Sequence, residues 1–331
     1  MGKELLPLVT IAIATFNGED TIKKCLESAI NQSYPRIEII ISDDCSTDST
    51  EEICMKYAVL AKQIKFHKNR ARLGIMKNYN LLLATAQGEF YVLFDQDDFR
   101  DLDFIEKAVI EMSNPKVEIA MGSVTVIFDG KKMHVNNFKR TAFSGSCERR
   151  IYYLLRRPSD FLLYGLTRTE SLRKVGGWTL GTSSFYRIVF AMCLRGEIRT
   201  IDSTYYYSAK GLQARPSKRE ELMRNGNSLT RTNRLVLGFL EIPLAYFQEI
   251  IRAELKLRSK ICCTFLVILD TLLKSGIKVI LRILSLLGFT HYPAKFENWL
   301  ISIYHPIDYI HFLTDRKDED LKYYRKNWPL V

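Results

Sequence analysis

Hydrophobic and polar positions follow two rhythms along the first hundred residues, and the switches between them mark the elements. Leu8 to Thr15, LVTIAIAT, is a near-continuous apolar run, as in a strand covered on both faces. GEDTIKKCLESAINQS follows, with Ile22, Leu26, Ala29 and Ile30 on one helical stripe and Lys23 and Lys24 outward. Pro35 breaks that pattern, and IEIIISDD forms a second buried strand. STDSTEEICMKYAVLAKQ predicts the next helix, with Ser46 or Thr47 as N-cap and acids behind it. IKFHK reads as a short third strand, and GIMKNYNLLLATAQG as a third helix ending at Gly88. Phe90 to Phe94 is the fourth strand, and it runs straight into acid-rich DQDDFRD. Such alternation predicts a parallel, right-handed, doubly wound α/β sheet.

In sheets of this kind ligands bind outside the carboxyl ends of the strands. Thr15-Phe16-Asn17, Asp43-Asp44 and Asp95-Gln96-Asp97-Asp98 are therefore expected along one edge. Asp-x-Asp directly after a strand suits a hard divalent ion that grips a diphosphate. The plainer reading is a helix starting near Leu102 with acids in its first turn. The position after the fourth strand of an alternating pattern favours the ion. Asp44 fits a contact to a nucleobase or ribose, with Asp43 forming the turn into the next helix. After the first strand, ATFNGED carries a single glycine and no Gly-Lys-Ser or Gly-Lys-Thr. A dinucleotide fingerprint and a P-loop are both excluded.

Composition refines this picture at two points. The 331 residues are 47% hydrophobic and 26% charged, enough for a sizeable core, and the formal net charge of +11 suits an anionic partner. Nucleic acid ranks last among such partners, because the basic residues spread through the tail without a recognised binding motif. The seven cysteines show no zinc-like spacing and read as reduced thiols of a cytosolic protein. The short apolar run at the N-terminus lacks a cleavage-type sequel and reads as a strand, not a signal peptide. Leu6 stands where a myristoylation signal takes Ser or Thr.

VTIAIATFNGEDTIKKCLESAINQSY, IEIIISDDCSTDST, NRARLGIMKNYNLLLATAQGEFYVLFDQDD and LTRTESLRKVGGW together resemble a family-2 nucleotide-sugar glycosyltransferase, over about residues 7 to 210. The resemblance implies a GT-A, Rossmann-like nucleotide-sugar-binding domain over residues 1–225 that inverts the anomeric centre. It implies that Thr15, Phe16, Asn17, Asp44, Lys77 and Gln96 surround the nucleotide sugar. Asp95 and Asp97, with Asp98 in support, would hold Mn2+ or Mg2+ against the donor diphosphate. Lys210 and Arg215, in a basic turn-rich segment, are phosphate contacts in the same scheme, against a solvated loop as the alternative. Family members place Glu-Asp after the GGW segment as the base that deprotonates the acceptor hydroxyl. Here those positions hold Ser184 and Phe185. Three readings stay open: Asp160 substitutes as a weak alternative, the acceptor arrives already ionised, or the chain is an inactive relative that binds nucleotide sugar or scaffolds a partner transferase. Tyr205 to Tyr207 read as a strand packed on the sheet.

From residue 226 to 331 the pattern turns helical. KICCTFLVILDTLLKSGIKVILRILSLLGF is apolar except for Asp270, Lys274, Lys278 and Arg282, which recur every four residues as one narrow stripe. A spanning helix needs roughly twenty predominantly apolar residues, and four charges argue against one. The pattern fits a helix lying on an anionic membrane surface, aided by Lys256, Arg258 and Lys260 and by Tyr292, Trp299, Tyr304 and Tyr309. Burial in a bundle or a homo-oligomer interface is the alternative. With sugar transfer, this implies surface-glycan assembly on a glycan or lipid-linked acceptor, at the cytoplasmic face of the cell membrane.

Overall fold

The computed structural model describes residues 6–128, 131–136, 143–156, 160–179, 183–208 and 231–286. The chain divides into two compact units, Met1–Ser144 with Asp160–Ser228, and Gly145–Ser159 with Leu229–Val331. The second unit thus takes in a stretch from the middle of the first as well as the helical third.

In the first unit β1 (Val9–Thr15) is central and fully covered, as its uninterrupted apolar run requires. It pairs in parallel with β2 (Ile37–Asp43) on one side and β4 (Phe90–Asp95) on the other, and β3 (Ile64–Lys68) extends β2. The connecting helices are α1 (Ile22–Ile30), α2 (Thr50–Leu60) and α3 (Ile75–Thr85). Ile11, Ile13, Ile39, Ile41, Val92 and Phe94 are fully buried between the helical layers. The parallel, doubly wound expectation, drawn from these four strands, holds for them, and beyond them the sheet is mixed. β8 (Leu166–Arg168) runs antiparallel to β4 and to β6 (Val117–Phe128), and β9 (Glu197–Ser208) pairs in parallel with β6. β5 (Phe99–Arg100) runs antiparallel to β9, and β7 (Lys131–Asn136) folds back on β6. The 3-10 turn Asp160–Tyr164 leads into β8. The tyrosine run from Tyr205 forms strand as expected.

Three boundaries differ from the sequence pattern. α2 starts at Thr50, not behind Ser46 or Thr47, because Ser46 is spent on the loop: its N–H and hydroxyl both bond Asp43. Asp48 accepts the Thr50 N–H instead, at 3.0 Å. α3 ends at Thr85, three residues before Gly88, whose glycine serves a different need. A Cβ on Gly88 would stand 2.5 Å from the backbone nitrogen of Thr10, so its bareness lets the chain pass β1 closely. The helix expected near Leu102 is α4 (Phe104–Met112), preceded by Asp103.

The second unit consists of α5 (Cys147–Arg156), α8 (Arg231–Arg252) and α9 (Leu257–Leu286); α6 (Thr169–Lys174) and α7 (Ser183–Arg195) belong to the first. Ile151, Leu154, Tyr246, Ile250, Cys263 and Val267 are buried in it. Among the described residues no helix is long and apolar enough to cross a membrane.

Candidate active site

The carboxyl ends of β1, β2 and β4 lie side by side, because Thr15 pairs with Asp43 and Ala14 with Asp95. The three polar segments predicted to share an edge therefore do. Backbone geometry is unusual there. Among the described residues the non-glycine positions with positive φ are Asn17, at 47°, and Cys45, at 67°, each just past a strand end. Such left-handed backbone is costly outside glycine and persists where surrounding bonds enforce it. Here Asn17 donates its N–H to Ser46 Oγ at 2.9 Å and accepts from the Thr47 N–H at 2.9 Å.

Gln96 ties β4 to the exit of β1. Its Oε1 accepts from Thr15 Oγ1 at 2.7 Å and the Phe16 N–H at 2.8 Å, and its Nε2 donates to the Phe16 carbonyl at 3.2 Å. The approach is close enough that a Cβ on Gly18 would meet the amide at 2.4 Å. Above this joint the guanidinium of Arg72 lies over the Phe16 ring, 4.1 Å from its centroid. Neither arginine of NRARLG carries a spacing signal that marks Arg72 in the sequence.

Asp44 is 4% exposed, and its carboxylate is mostly committed within the chain. It accepts from Asn69 Nδ2 at 3.0 Å, the Leu73 N–H at 2.7 Å and the Gly74 N–H at 2.8 Å. It thereby holds the loop that leads into α3, with one of a carboxylate's roughly four acceptor directions left over. Asn78 on that helix is anchored to β2, donating to the Ser42 carbonyl at 3.0 Å. Lys77 beside it is exposed. Asp43 is fully buried against Ser46, and burial raises its pKa above the ordinary aspartate value.

The acids after β4 separate into two environments. Asp95 and Asp97 are half-exposed, whereas Asp98 is fully buried and accepts the Tyr205 hydroxyl. Arg100 lies buried in the same core, stacked on Phe94 at 3.7 Å and donating to the Leu93 and Tyr164 carbonyls at 2.7 Å each. Burial lowers its pKa below the ordinary guanidinium value, a shift that Tyr205, Asp98 and Asp95 oppose, and the guanidinium stands as a cation beside the acid run within the fold. The three-carboxylate set of Asp95, Asp97 and Asp98 does not form one cluster. No group of three His, Cys, Asp or Glu side chains able to hold a metal ion occurs among the described residues. Asp98 is the anchor of the turn, and Asp95 and Asp97 remain half-exposed. Two carboxylates at a half-exposed strand end form a hard oxygen donor set, of the kind Mg2+ and Mn2+ take together with substrate phosphates.

Asp95 itself is gripped from two sides. Tyr79 on α3 donates to Oδ1 at 2.6 Å and Tyr164 on the 3-10 turn donates to Oδ2 at 2.9 Å. Burial, and then the charge of Asp95, push both phenols well above their ordinary pKa. Phe185, on the first turn of α7, sits edge-on to Tyr79 and nearly parallel to Tyr164, with centroids 6.3 and 6.4 Å away. Its neighbour Ser184 is fully buried and accepts the Thr179 N–H at 2.8 Å. The positions where the resemblance puts a base are therefore packed, one into backbone and one onto the tyrosines. Asp160 opens the 3-10 turn, and its side chain lies outside the described residues. Lys210 and Arg215 lie outside them too.

A parallel β3-β2-β1-β4 half carrying this edge, continued by a mixed half, is the GT-A architecture of nucleotide-sugar glycosyltransferases. The same fold is seen in residues 1–349 of S. aureus TarS in complex with UDP, at a TM-score of 0.56 and 20% identity, covering 78% of this chain and 69% of that one. Residues 10–164 match the model of glycosyl transferase family 2. An uncharacterized glycosyltransferase of Haemophilus influenzae is 33% identical over 129 residues, 39% of this chain and 40% of that protein. The UDP-Glc:alpha-D-GlcNAc-diphosphoundecaprenol beta-1,3-glucosyltransferase WfaP of Escherichia coli is 38% identical over 112 residues, 34% of this chain and 44% of that one. The chain thus spans less than half the length of each of these two relatives.

Proposed function

We propose that this chain transfers a sugar from a nucleoside-diphosphate donor to an acceptor in surface-glycan assembly. The observation that carries the reading is the half-exposed Asp95 and Asp97 pair at the tip of β4, beside the Gln96–Thr15 joint and the Asp44 loop. In this scheme Thr15, Phe16, Asn17 and Asp44 line the nucleotide, Lys77, Lys210 and Arg215 offer charge to the phosphates, and Asp95 with Asp97 holds Mn2+ or Mg2+. The bound ion supplies neutralising charge for the departing diphosphate. Gln96 fixes the floor by bonding Thr15 and Phe16, and Arg100 keeps the acid turn closed from behind. The relative that acts on a diphosphoundecaprenol-linked sugar supports a lipid-linked acceptor here.

A second reading, nucleotide-sugar binding without transfer, rests on one observation: a buried Ser184 and a half-exposed Phe185 stand where an acid is expected. Release of nucleoside diphosphate from a panel of UDP- and GDP-sugars, with and without diphospholipid-linked acceptors, separates the two. Acceptor-stimulated release abolished by EDTA supports transfer. Donor binding with no release in any pairing supports the second reading and ends the first.

The second unit fits peripheral attachment to the cytoplasmic face of the membrane. On α9, Leu257, Ile261, Phe265, Ile268 and Leu272 are 44% to 74% exposed and fall along one helical stripe, while Cys263 and Val267 on the other side are buried. Arg252, Lys256 and Arg258, all exposed, flank the start of that stripe. Cations beside an outward apolar stripe match an anionic lipid surface, with the helix lying flat. The side chains of Lys274, Lys278 and Arg282 and the aromatic residues from Tyr292 on lie outside the described residues. Sedimentation with phosphatidylglycerol vesicles, lost in Phe265→Asp/Leu272→Asp, is the expected result. A wild-type chain that stays in the supernatant, or pairs with a second copy through this stripe, refutes the attachment.

A further inference from the structure

Three features lie outside the scheme above: the sulfur contact of Cys147 with Cys263 at 3.9 Å, the mostly apolar hollow of about 420 Å3 between β2, β3 and α3, and the tyrosine pair on Asp95. The tyrosines carry the argument furthest. We propose that Tyr79 and Tyr164 are positioning residues that preset the Asp95 carboxylate for a divalent cation, and that Phe185 holds the pair in place. The proposal rests on the metal-binding role given to Asp95 above.

The two hydroxyls come from separate elements and take opposite oxygens of one carboxylate. This fixes both its position and the rotation of its plane. The donors are neutral hydroxyls, so the carboxylate keeps its formal negative charge, which their hydrogen bonds favour. Each oxygen keeps an acceptor direction beyond the phenol it bonds. A ligand already immobilised loses no rotamer freedom when the ion arrives.

Packing explains why the phenols cannot swing away. Tyr79 is fully buried, with Trp178 against its ring at 5.2 Å and Phe185 edge-on at 6.3 Å. Tyr164 is 8% exposed and lies between Tyr205, stacked at 5.3 Å, and Phe185 at 6.4 Å. Phe185 touches both rings and is itself half-exposed, so it bridges α7 to the metal-side carboxylate.

The test uses the full chain and whichever of UDP and GDP the wild type binds with Mn2+. Free Mn2+ is counted by electron paramagnetic resonance during titration. Tyr79→Phe and Tyr164→Phe keep the rings and remove only the hydroxyls. Each is expected to weaken Mn2+ binding about tenfold, the scale of one hydrogen bond to a charged group, with metal-free nucleotide affinity within about twofold. In turnover the half-saturating Mn2+ concentration rises while the rate at saturating Mn2+ persists. Phe185→Ala is expected to weaken Mn2+ in the same direction, and Phe185→Leu to restore most of it. Should the tyrosine variants not fold, the Phe185 pair decides alone. Unchanged Mn2+ affinity in the folded Tyr79→Phe/Tyr164→Phe protein, or equal losses in both Phe185 variants, overturns the positioning role while the metal site stands. A wild type that binds nucleotide indifferently to Mn2+ removes the metal site and this proposal together.

Discussion

Gln96 shows how one side chain sets the geometry of a whole edge. Three hydrogen bonds to Thr15 and Phe16 join the exits of two adjacent strands. Gln96→Ala removes all three and frees the Phe16 loop. At about 1 kcal/mol per neutral bond, partly recovered by water, nucleotide affinity is expected to fall roughly tenfold, as read by calorimetry; an unchanged affinity would place the nucleotide elsewhere. The buried phenols yield a pH prediction. Tyr79, Tyr91, Tyr164 and Tyr205 all have folded pKa values raised by burial above the ordinary tyrosine value, near 10. Groups raised in this way contribute stability that is fully present below the unfolded pKa and lost as pH rises through the folded one. Thermal stability should therefore hold up to about pH 10 and fall steeply above it, followed by melting curves together with tyrosinate absorbance. Early titration of these four phenols in the folded chain contradicts the burial. The aspartates and Gln96 were legible because charge directly after an apolar strand is conspicuous. Tyr79, Tyr164 and Arg100 were not, since an aromatic at helical spacing reads as core and one arginine among acids reads as surface. Only the tertiary fold turns their polar ends toward Asp95 and Asp98.

At the scale of elements, periodicity located nearly every helix and strand of the amino-terminal hundred residues but misplaced their ends. Boundaries depend on which side chains the loops claim, as Ser46 shows, and on close passages such as Gly88 beside Thr10. Gly88→Ala would push a Cβ to 2.5 Å from a backbone nitrogen that β1 pairing holds in place. A destabilisation of about 1–3 kcal/mol is expected, visible as a melting point lower by several degrees; no loss would mean that β1 and β4 can spread. β5 and β8 went unread because two- and three-residue strands have no period to detect. α9 was legible as amphipathic, but which of its faces is inward is set by packing within the second unit, where Cys263 and Val267 are buried.

For the molecule as a whole, the net charge of +11 and the division into two units suit the two partners proposed above. In that proposal the acid-tipped edge of the first takes an ion and a diphosphate, and the stripe on the second meets anionic lipid. Vesicle binding is therefore expected to weaken from 0.05 to 0.5 M salt, as the screening length shortens from roughly 14 to 4 Å, without complete loss because the apolar contact remains; salt-indifferent binding would show that the cations play no part. The central claim concerns the first unit and is tested most directly by calorimetric titration of UDP and GDP with and without Mn2+, on the wild type and on Asp97→Ala. We expect one of the two nucleotides to bind at least tenfold more tightly with Mn2+, and that gain to vanish in the variant while the fold persists. Equal affinity with and without the ion, or an undiminished gain in Asp97→Ala, contradicts the account.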